Sequence, residues 1–233
     1  MRSLLLAAGL GTRLRPLTDT LPKCLVPING RPLIEYWLRM LRDADVYPIL
    51  VNLHYLADMV QEYIQNSEFK DIVHTVYEET LLGTAGTLLK NRDFFENQPL
   101  MLIHGDNLSR FNVSTFIERH RNRPQNCEIT MMTFYTNTPE SCGIVEVDKQ
   151  GIVQAFYEKV SNPPGNTANG AVYILEPKIF NFLENIGKEV IDFSTEVLPH
   201  YVNKIYTFHN DVYHRDVGTI ESYKIALKEF QVF

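Results

Sequence analysis

The sequence predicts an α/β fold, Rossmann-like, with a mixed, mainly parallel sheet flanked by helices and a smaller β-rich lobe. In the first half, short apolar runs at Leu4–Ala8, Tyr47–Leu53, Ile72–Tyr77 and Leu100–His104 alternate with segments of helical spacing. That alternation is the sequence form of βαβ units and a parallel sheet. From about Thr138 it gives way to β-ribbon, which places the start of the smaller lobe there. No low-complexity linker and no internal repeat divides the chain, so 1–233 is expected to be one domain with halves 1–137 and 138–233.

Taken in order, Leu4–Ala8 is bounded by glycines and reads as a buried parallel strand. Gly30-Arg31-Pro32 punctuates the chain before Ile34, Trp37, Leu38 and Leu41, which share one helical face. Tyr47–Leu53 is the next strand, Ala57–Gln65 a helix and Ile72–Tyr77 a third strand; His54 is given no role. Gly83-Thr84-Ala85-Gly86 then opens a helix for which Thr84 is the expected N-cap. Leu100–His104 is a strand that ends in Gly105-Asp106-Asn107, followed by a helix at Val113–Asn122 and a strand at Glu128–Tyr135.

Cys142–Val147 and Ile152–Tyr157, joined at Asp148-Lys149-Gln150-Gly151, read as a hairpin. Neighbouring strand residues point to opposite faces, so Glu158 and Lys159 at its end are not expected to pair on one surface. Thr167–Tyr173 is a strand and Asp192–Tyr201 a short helix. Ile205–Phe208 and Val212–His214 are strands, and Ile220–Phe230 is the closing helix, with Asp216 fitting its cap.

Composition removes several function classes. A net charge of −6 argues against generic nucleic-acid binding, which wants a basic stripe, so no nucleic-acid partner is expected. Three cysteines without a Cys-x-x-Cys pair predict neither a disulfide framework nor a zinc site, and fit a reducing, cytoplasmic setting. The first apolar run is too short for a signal peptide, and no run approaches membrane-spanning length.

The chemistry begins where the first strand empties into Gly9-Leu10-Gly11-Thr12-Arg13, with Arg15 and Lys23 in the same loop. Glycines let the backbone come close to a bulky ligand, and exposed loop N–H groups make a nest for anions. Followed by fixed cations, this is the sequence form of a polyphosphate cradle, although the Gly-x-Gly on its own fits an ordinary strand-to-loop turn better. It is not a dinucleotide fingerprint, because Leu14 stands where a third glycine belongs, and it is not a P-loop. Asp106, at the carboxyl end of a buried strand, needs a cation or a cap. Alone it fits either; beside an anion loop Mg²⁺ is favoured, since that ion takes one or two carboxylates plus phosphate oxygens.

Gly9 through Thr18, with Pro22-Lys23-Cys24-Leu25-Val26-Pro27, resembles the signature of the sugar-1-phosphate nucleotidyltransferases, Cys24 replacing a usual proline. Leu82-Gly83-Thr84-Ala85-Gly86 looks most like the mannose- or heptose-1-phosphate guanylyltransferase branch. Gly105-Asp106-Asn107, Phe156-Tyr157-Glu158-Lys159 and Asp216-Val217-Gly218-Thr219 extend the resemblance over nearly the whole chain. Two departures are Val160 for proline and Asn169-Gly170-Ala171 where the family has Asn-Ala-Gly.

The resemblance implies transfer of a nucleotidyl group from an NTP to a sugar 1-phosphate, with Mg²⁺ as cofactor. It implies Arg13, Lys23 and Lys159 as catalytic residues and Asp106 and Asp216 as metal ligands. Leu6, Ala8, Gly9, Gly11, Thr12, Gly83 and Thr84 would bind the nucleotide, with Gly83 and Gly86 letting a flat base lie against the backbone. Gly143, Glu158 and Asn169 would bind the sugar. GTP with a mannose- or heptose-type 1-phosphate is the first expectation, and UTP, CTP or dTTP with another sugar phosphate the alternative. A non-catalytic regulator would have lost some of Arg13, Lys23, Asp106 and Asp216, and none is lost. A glycosyltransferase would want Asp-x-Asp, which Asp106-Asn107-Leu108 lacks. Oligomeric state is left open, a homo-oligomer included.

Overall fold

A computed structural model describes residues 1–230. In chain order the elements are β1 (Arg2–Leu6), β2 (Pro27–Ile28), β3 (Arg31–Pro32), α1 (Leu33–Asp43), β4 (Ile49–Leu53), α2 (Ala57–Gln65) and β5 (Val73–Tyr77). Then come α3 (Gly83–Lys90), β6 (Leu100–His104), β7 (Asn107–Arg110), α4 (Val113–Arg121), β8 (Ile129–Tyr135), β9 (Gly143–Val147) and β10 (Val153–Glu158). The chain closes with β11 (Thr167–Leu175), α5 (Ile179–Ile186), β12 (Ile205–His209), β13 (Tyr213–Asp216) and α6 (Ile220–Glu229). The class is the mixed, Rossmann-like α/β one, helices alternating with strands. Two compact units interleave along the chain: Met1–Leu81 with Ile103–Phe111 and the stretch from Val212, and Leu82–Leu102 with Asn112–Asp211.

In the first unit β1, β4 and β5 run parallel, with Ser3 opposite Ile49 and Ile49 opposite Val73. Every residue of β4 is buried, which explains why all but one of them are apolar. The exception in that run is Asn52, whose Oδ1 accepts from the Ala7 N–H at 2.8 Å and so anchors the start of the glycine loop. Asn29 and Gly30 both have positive φ (48° and 84°), the two-residue hairpin turn that Asn-Gly favours, and it pairs β2 with β3. Helix α1 buries Leu33, Ile34, Tyr36, Trp37, Leu38 and Leu41, and the Trp37 indole donates to the Asn107 carbonyl at 2.7 Å. Antiparallel pairing of β7 with β13 sets Asp216 opposite Asn107, beside Asp106 in sequence. Helix α6 is capped by Thr219, whose side chain accepts from Ser222 N–H at 3.1 Å. Asp216 therefore does not cap it: the strand runs on to Asp216, which frees the carboxylate from that task.

In the second unit β8 pairs antiparallel with β11 and parallel with β12, and β9 and β10 form the expected hairpin. Asp148 fixes its turn by accepting from the N–H groups of Gln150 and Ile152, both at 2.9 Å. The segment expected as a short helix is a π-helical turn, Phe193–Val197, followed by a 3₁₀ turn, Leu198–Tyr201, and Asp192 caps it through Thr195 N–H.

One expectation at α3 is corrected. Thr84 is inside the helix rather than at its N-cap, which is Leu82. Its hydroxyl accepts from Phe193 N–H at 2.7 Å, tying the helix to the π-helical turn at Phe193–Val197. Packing also requires the two glycines. A Cβ on Gly83 would come within 2.5 Å of the Ile191 carbonyl oxygen, and one on Gly86 would overlap that of Glu189. Ala85 N–H and Gly86 N–H donate to Ile191 O at 2.9 and 3.2 Å, and Ile191 N–H donates to Leu82 O at 2.9 Å. Backbone lies on backbone here, so Gly86→Ala must push residues 189–191 away. The expected loss is about 2–3 kcal/mol in chemical unfolding, at the upper end of overpacking costs. An unchanged unfolding midpoint would refute this packing account.

Among the described residues no helix is long and apolar enough to cross a membrane, and Cys24, Cys127 and Cys142 are free thiols. Burial pushes the Cys24 thiol up to about 12, so it is an inert packing residue where the family pattern has proline.

Candidate active site

Four charges from three distant stretches meet in the first unit. Lys23 Nζ lies 2.9 Å from Asp106 Oδ2 and 3.6 Å from Asp216 Oδ1, and Arg13 Nη2 lies 4.0 Å from Asp216 Oδ2. Lys23 reaches them from inside, with only 7% of its side chain exposed, whereas Asp106 and Asp216 are 45% and 56% exposed. Arg15, the other loop cation, pairs with Asp19 at 3.2 Å and takes no part.

Glycines hold this cluster together. Gly11 has φ +64°, and a Cβ there would meet the Thr18 methyl at 3.0 Å and Lys23 Cβ at 3.2 Å. The Thr18 hydroxyl donates to Gly11 O at 2.7 Å and so fixes the turn. Gly105 N–H donates to Leu6 O at 2.9 Å, and a Cβ on Gly105 would strike that oxygen. Gly218 lies under the Arg13–Asp216 pair, where a Cβ would meet Asp216 Oδ2 at 2.8 Å and Arg13 Nη2 at 2.9 Å. Gly9, by contrast, has nothing within 4 Å of its missing Cβ, so the loop is open on that side. Ala8 is buried behind it, while Thr12, at the start of a 3₁₀ turn, is exposed.

The carboxylates differ electrostatically. Desolvation opposes the charge on Asp106, but the Lys23 ammonium, helped by His104, holds its carboxyl below the ordinary range. Desolvation raises Asp216, and the neighbouring Asp106 adds to this, against the opposing pull of Lys23. Two hard oxygen ligands with unequal proton affinity suit a divalent ion that completes its shell with phosphate oxygens.

The other expected residues lie in the second unit. Gly143 pairs with Glu158 across the hairpin, and a Cβ on Gly143 would come within 2.6 Å of Glu158 Oε2. The Glu158 carboxylate thus lies across the bare backbone of Gly143. Lys159 has φ +50° and ends the strand, so the alternation rule stops applying: its Nζ is 3.4 Å from Glu158 Oε1, against the expectation that the two side chains stay apart. Lys159 is 67% exposed, so this ion pair is weak and its ammonium is available to an anion.

Asn169 begins a bulge in β11. Its Oδ1 accepts from Ala171 N–H at 2.9 Å and its Nδ2 donates to the Tyr173 hydroxyl at 2.7 Å. One N–H and one lone pair of the amide remain for a ligand. Ala171 has φ +52°, at the position the family pattern gives to glycine. An alanine in the left-handed region is strained, so Ala171→Gly is expected to stabilise the fold by about 0.5–1 kcal/mol in chemical denaturation. A loss of stability would contradict the strain at residue 171, since the glycine keeps the backbone N–H that Asn169 accepts from.

The motifs named the charged residues. Missed were the positioning roles of Gly105, Gly218, Thr18 and Asn52; of these, a lone asparagine inside an apolar strand was the one legible signal.

Against known proteins, residues 2–231 match the family described as "Nucleotidyl transferase". The chain is 29% identical over 245 residues to a UTP–glucose-1-phosphate uridylyltransferase from Synechocystis, covering 98% of this chain and 63% of that protein. It is 32% identical over 200 residues to a probable mannose-1-phosphate guanylyltransferase from Oryza sativa, covering 82% of this chain and 55% of that one. The chain therefore spans less than two thirds of the length of these relatives. Among solved structures, HddC from Yersinia pseudotuberculosis complexed with GMP-PN superposes with a TM-score of 0.80 at 25% identity, over 99% of both chains. With its glycine loop, its paired aspartates and a match over nearly its full length, this chain belongs to the nucleotidyl transferase family.

Proposed function

We propose that this protein joins a nucleoside triphosphate to a sugar 1-phosphate, giving a nucleoside-diphosphate sugar and pyrophosphate. GTP and a mannose- or heptose-type 1-phosphate are the favoured pair. The observation that carries the reading is the convergence of Lys23, Asp106 and Asp216, with Arg13 beside them, at the end of the glycine loop. Guanine is supported by the structural neighbour solved with GMP-PN, and mannose by the guanylyltransferase relatives. The uridylyltransferase relative supports UTP with glucose 1-phosphate as the second reading.

In the reaction an oxygen of the sugar phosphate bonds to the α-phosphorus while the bond from that phosphorus to the β-phosphate oxygen breaks. The nucleophile is already an anion at neutral pH, so no general base is needed. The obstacle is repulsion between polyanions and the charge that builds on the leaving pyrophosphate, so catalysis is positioning and electrostatics. Arg13, permanently charged and fork-shaped, suits the departing phosphates. Lys23 would hold the α-phosphate, and Lys159 the incoming sugar phosphate. Gly9, Gly11 and Thr12 present loop backbone to the triphosphate, Leu6 and Ala8 support them, and Gly83 and Thr84 are assigned to the base and ribose. Glu158, Gly143 and Asn169 are assigned to the sugar. Asp106 and Asp216 would hold Mg²⁺, which when bound neutralises charge developing on the phosphates.

A panel of GTP, UTP, CTP and dTTP against mannose-, heptose- and glucose-type 1-phosphates, with Mg²⁺ and scored by pyrophosphate release, tests the assignment. GTP with a manno-configured phosphate should lead. Preference for UTP with glucose 1-phosphate would overturn the substrate reading, and no release from any pair would overturn the activity.

A further inference from the structure

The Lys23 ammonium contacts both aspartates, 2.9 Å from Asp106 Oδ2 and 3.6 Å from Asp216 Oδ1. A magnesium-type ion on the same oxygens would sit at about 2.0–2.1 Å from them. A dication and an ammonium sharing those carboxylates would be like charges only a few ångströms apart, and each weakens the binding of the other. The lysine cannot simply withdraw. Its side chain is 7% exposed, its Cβ packs against Gly11, and its neighbour Cys24 is buried. Only the tip of the side chain can turn, and it needs another anion to turn to.

We propose that Lys23 is a resident counter-cation that keeps the aspartate pair from taking up a divalent ion on its own. A phosphate-bearing substrate supplies the alternative partner for the ammonium, so the ion and the triphosphate enter together. This rests on the reading of Asp106 and Asp216 as metal carboxylates, and it adds to that reading an order of binding. It also gives Lys23 two successive partners, carboxylate first and phosphate second.

The test uses Mn²⁺ as the probe, with the full chain and no nucleotide, and follows the free ion by electron paramagnetic resonance. Four proteins are compared: wild type, Lys23→Met, Asp106→Asn and the double variant, with Lys23→Gln in place of the methionine variant if that one does not fold. Wild type should bind weakly. Removing the competing charge should tighten Mn²⁺ binding by about tenfold or more, and adding Asp106→Asn should abolish the gain. If Lys23→Met binds no more tightly than wild type while Asp106→Asn weakens wild-type binding, the aspartates hold metal and the counter-cation role is overturned. If Asp106→Asn changes Mn²⁺ binding in neither background, the metal assignment itself fails and the inference with it.

Discussion

Asp106→Asn is expected to lower turnover by roughly 10²–10³, the loss typical of a transition-state electrostatic contact removed, while the protein remains folded. The change is nearly isosteric, yet it removes the carboxylate that Lys23 meets at 2.9 Å and one of the two oxygen donors proposed for the ion. Raising Mg²⁺ should recover part of the loss if weakened ion binding is the cause. The substitution also changes the acid response. The Asp106 carboxyl is held below its usual range in the folded state, so its stabilising effect is present above about pH 4, the unfolded value, and is lost as the pH falls further. The asparagine variant should lack this acid-side decline. Full turnover in Asp106→Asn, measured by pyrophosphate release, would remove Asp106 from the machinery.

Arg13→Ala should cost a similar factor in kcat, roughly 10²–10³, with almost no cost in stability. Its guanidinium is 69% exposed and its contact with Asp216 is long, at 4.0 Å, so its structural contribution is that of a surface ion pair, at most about 1 kcal/mol. A side chain held out in solvent beside an aspartate, over a glycine whose Cβ would meet it, adds little to the fold, so a rate loss would come from the proposed phosphate contact. Thermal unfolding and steady-state kinetics together separate the two effects. An unchanged kcat, or a collapse of stability, would contradict this placement. Arg13→Lys should recover only part of the rate, because an ammonium cannot reproduce the two-pronged grip of a guanidinium on phosphate oxygens.

Much of the first unit was legible in the sequence, because it is written in strong local signals. Apolar runs mark β1, β4 and β6, helix α2 falls on its expected residues, and the charged members of the cluster sit in motifs whose spacing is specific. What was not legible depends on tertiary contacts. Thr84 looks like a cap by sequence, but the helix starts one residue earlier and its hydroxyl is taken by Phe193. The packing role of Gly83 and Gly86 depends on residues 189–191, about a hundred positions away, whose backbone lies against them. Glu158 and Lys159 obey strand alternation only while the strand lasts, and the positive φ at Lys159 ends it. Asp216 resembles a cap until Thr219 is seen to perform that task. At Thr84 and the two glycines the local rule gives way to a partner far away in the chain; at Lys159 and Asp216 it gives way to where the strand ends and which neighbouring residue caps the helix.

The central claim is that these residues carry a nucleotidyl group, not a phosphoryl group, from the triphosphate to a sugar phosphate. The most direct measurement supplies the leading triphosphate labelled either at the α- or at the γ-phosphate, with the sugar 1-phosphate and Mg²⁺, and follows where each label goes. The account predicts α-label in a nucleoside-diphosphate sugar and γ-label in pyrophosphate, formed in equal amounts. Label from the γ-position appearing in the sugar product or as free inorganic phosphate, with no α-label transferred, would contradict it.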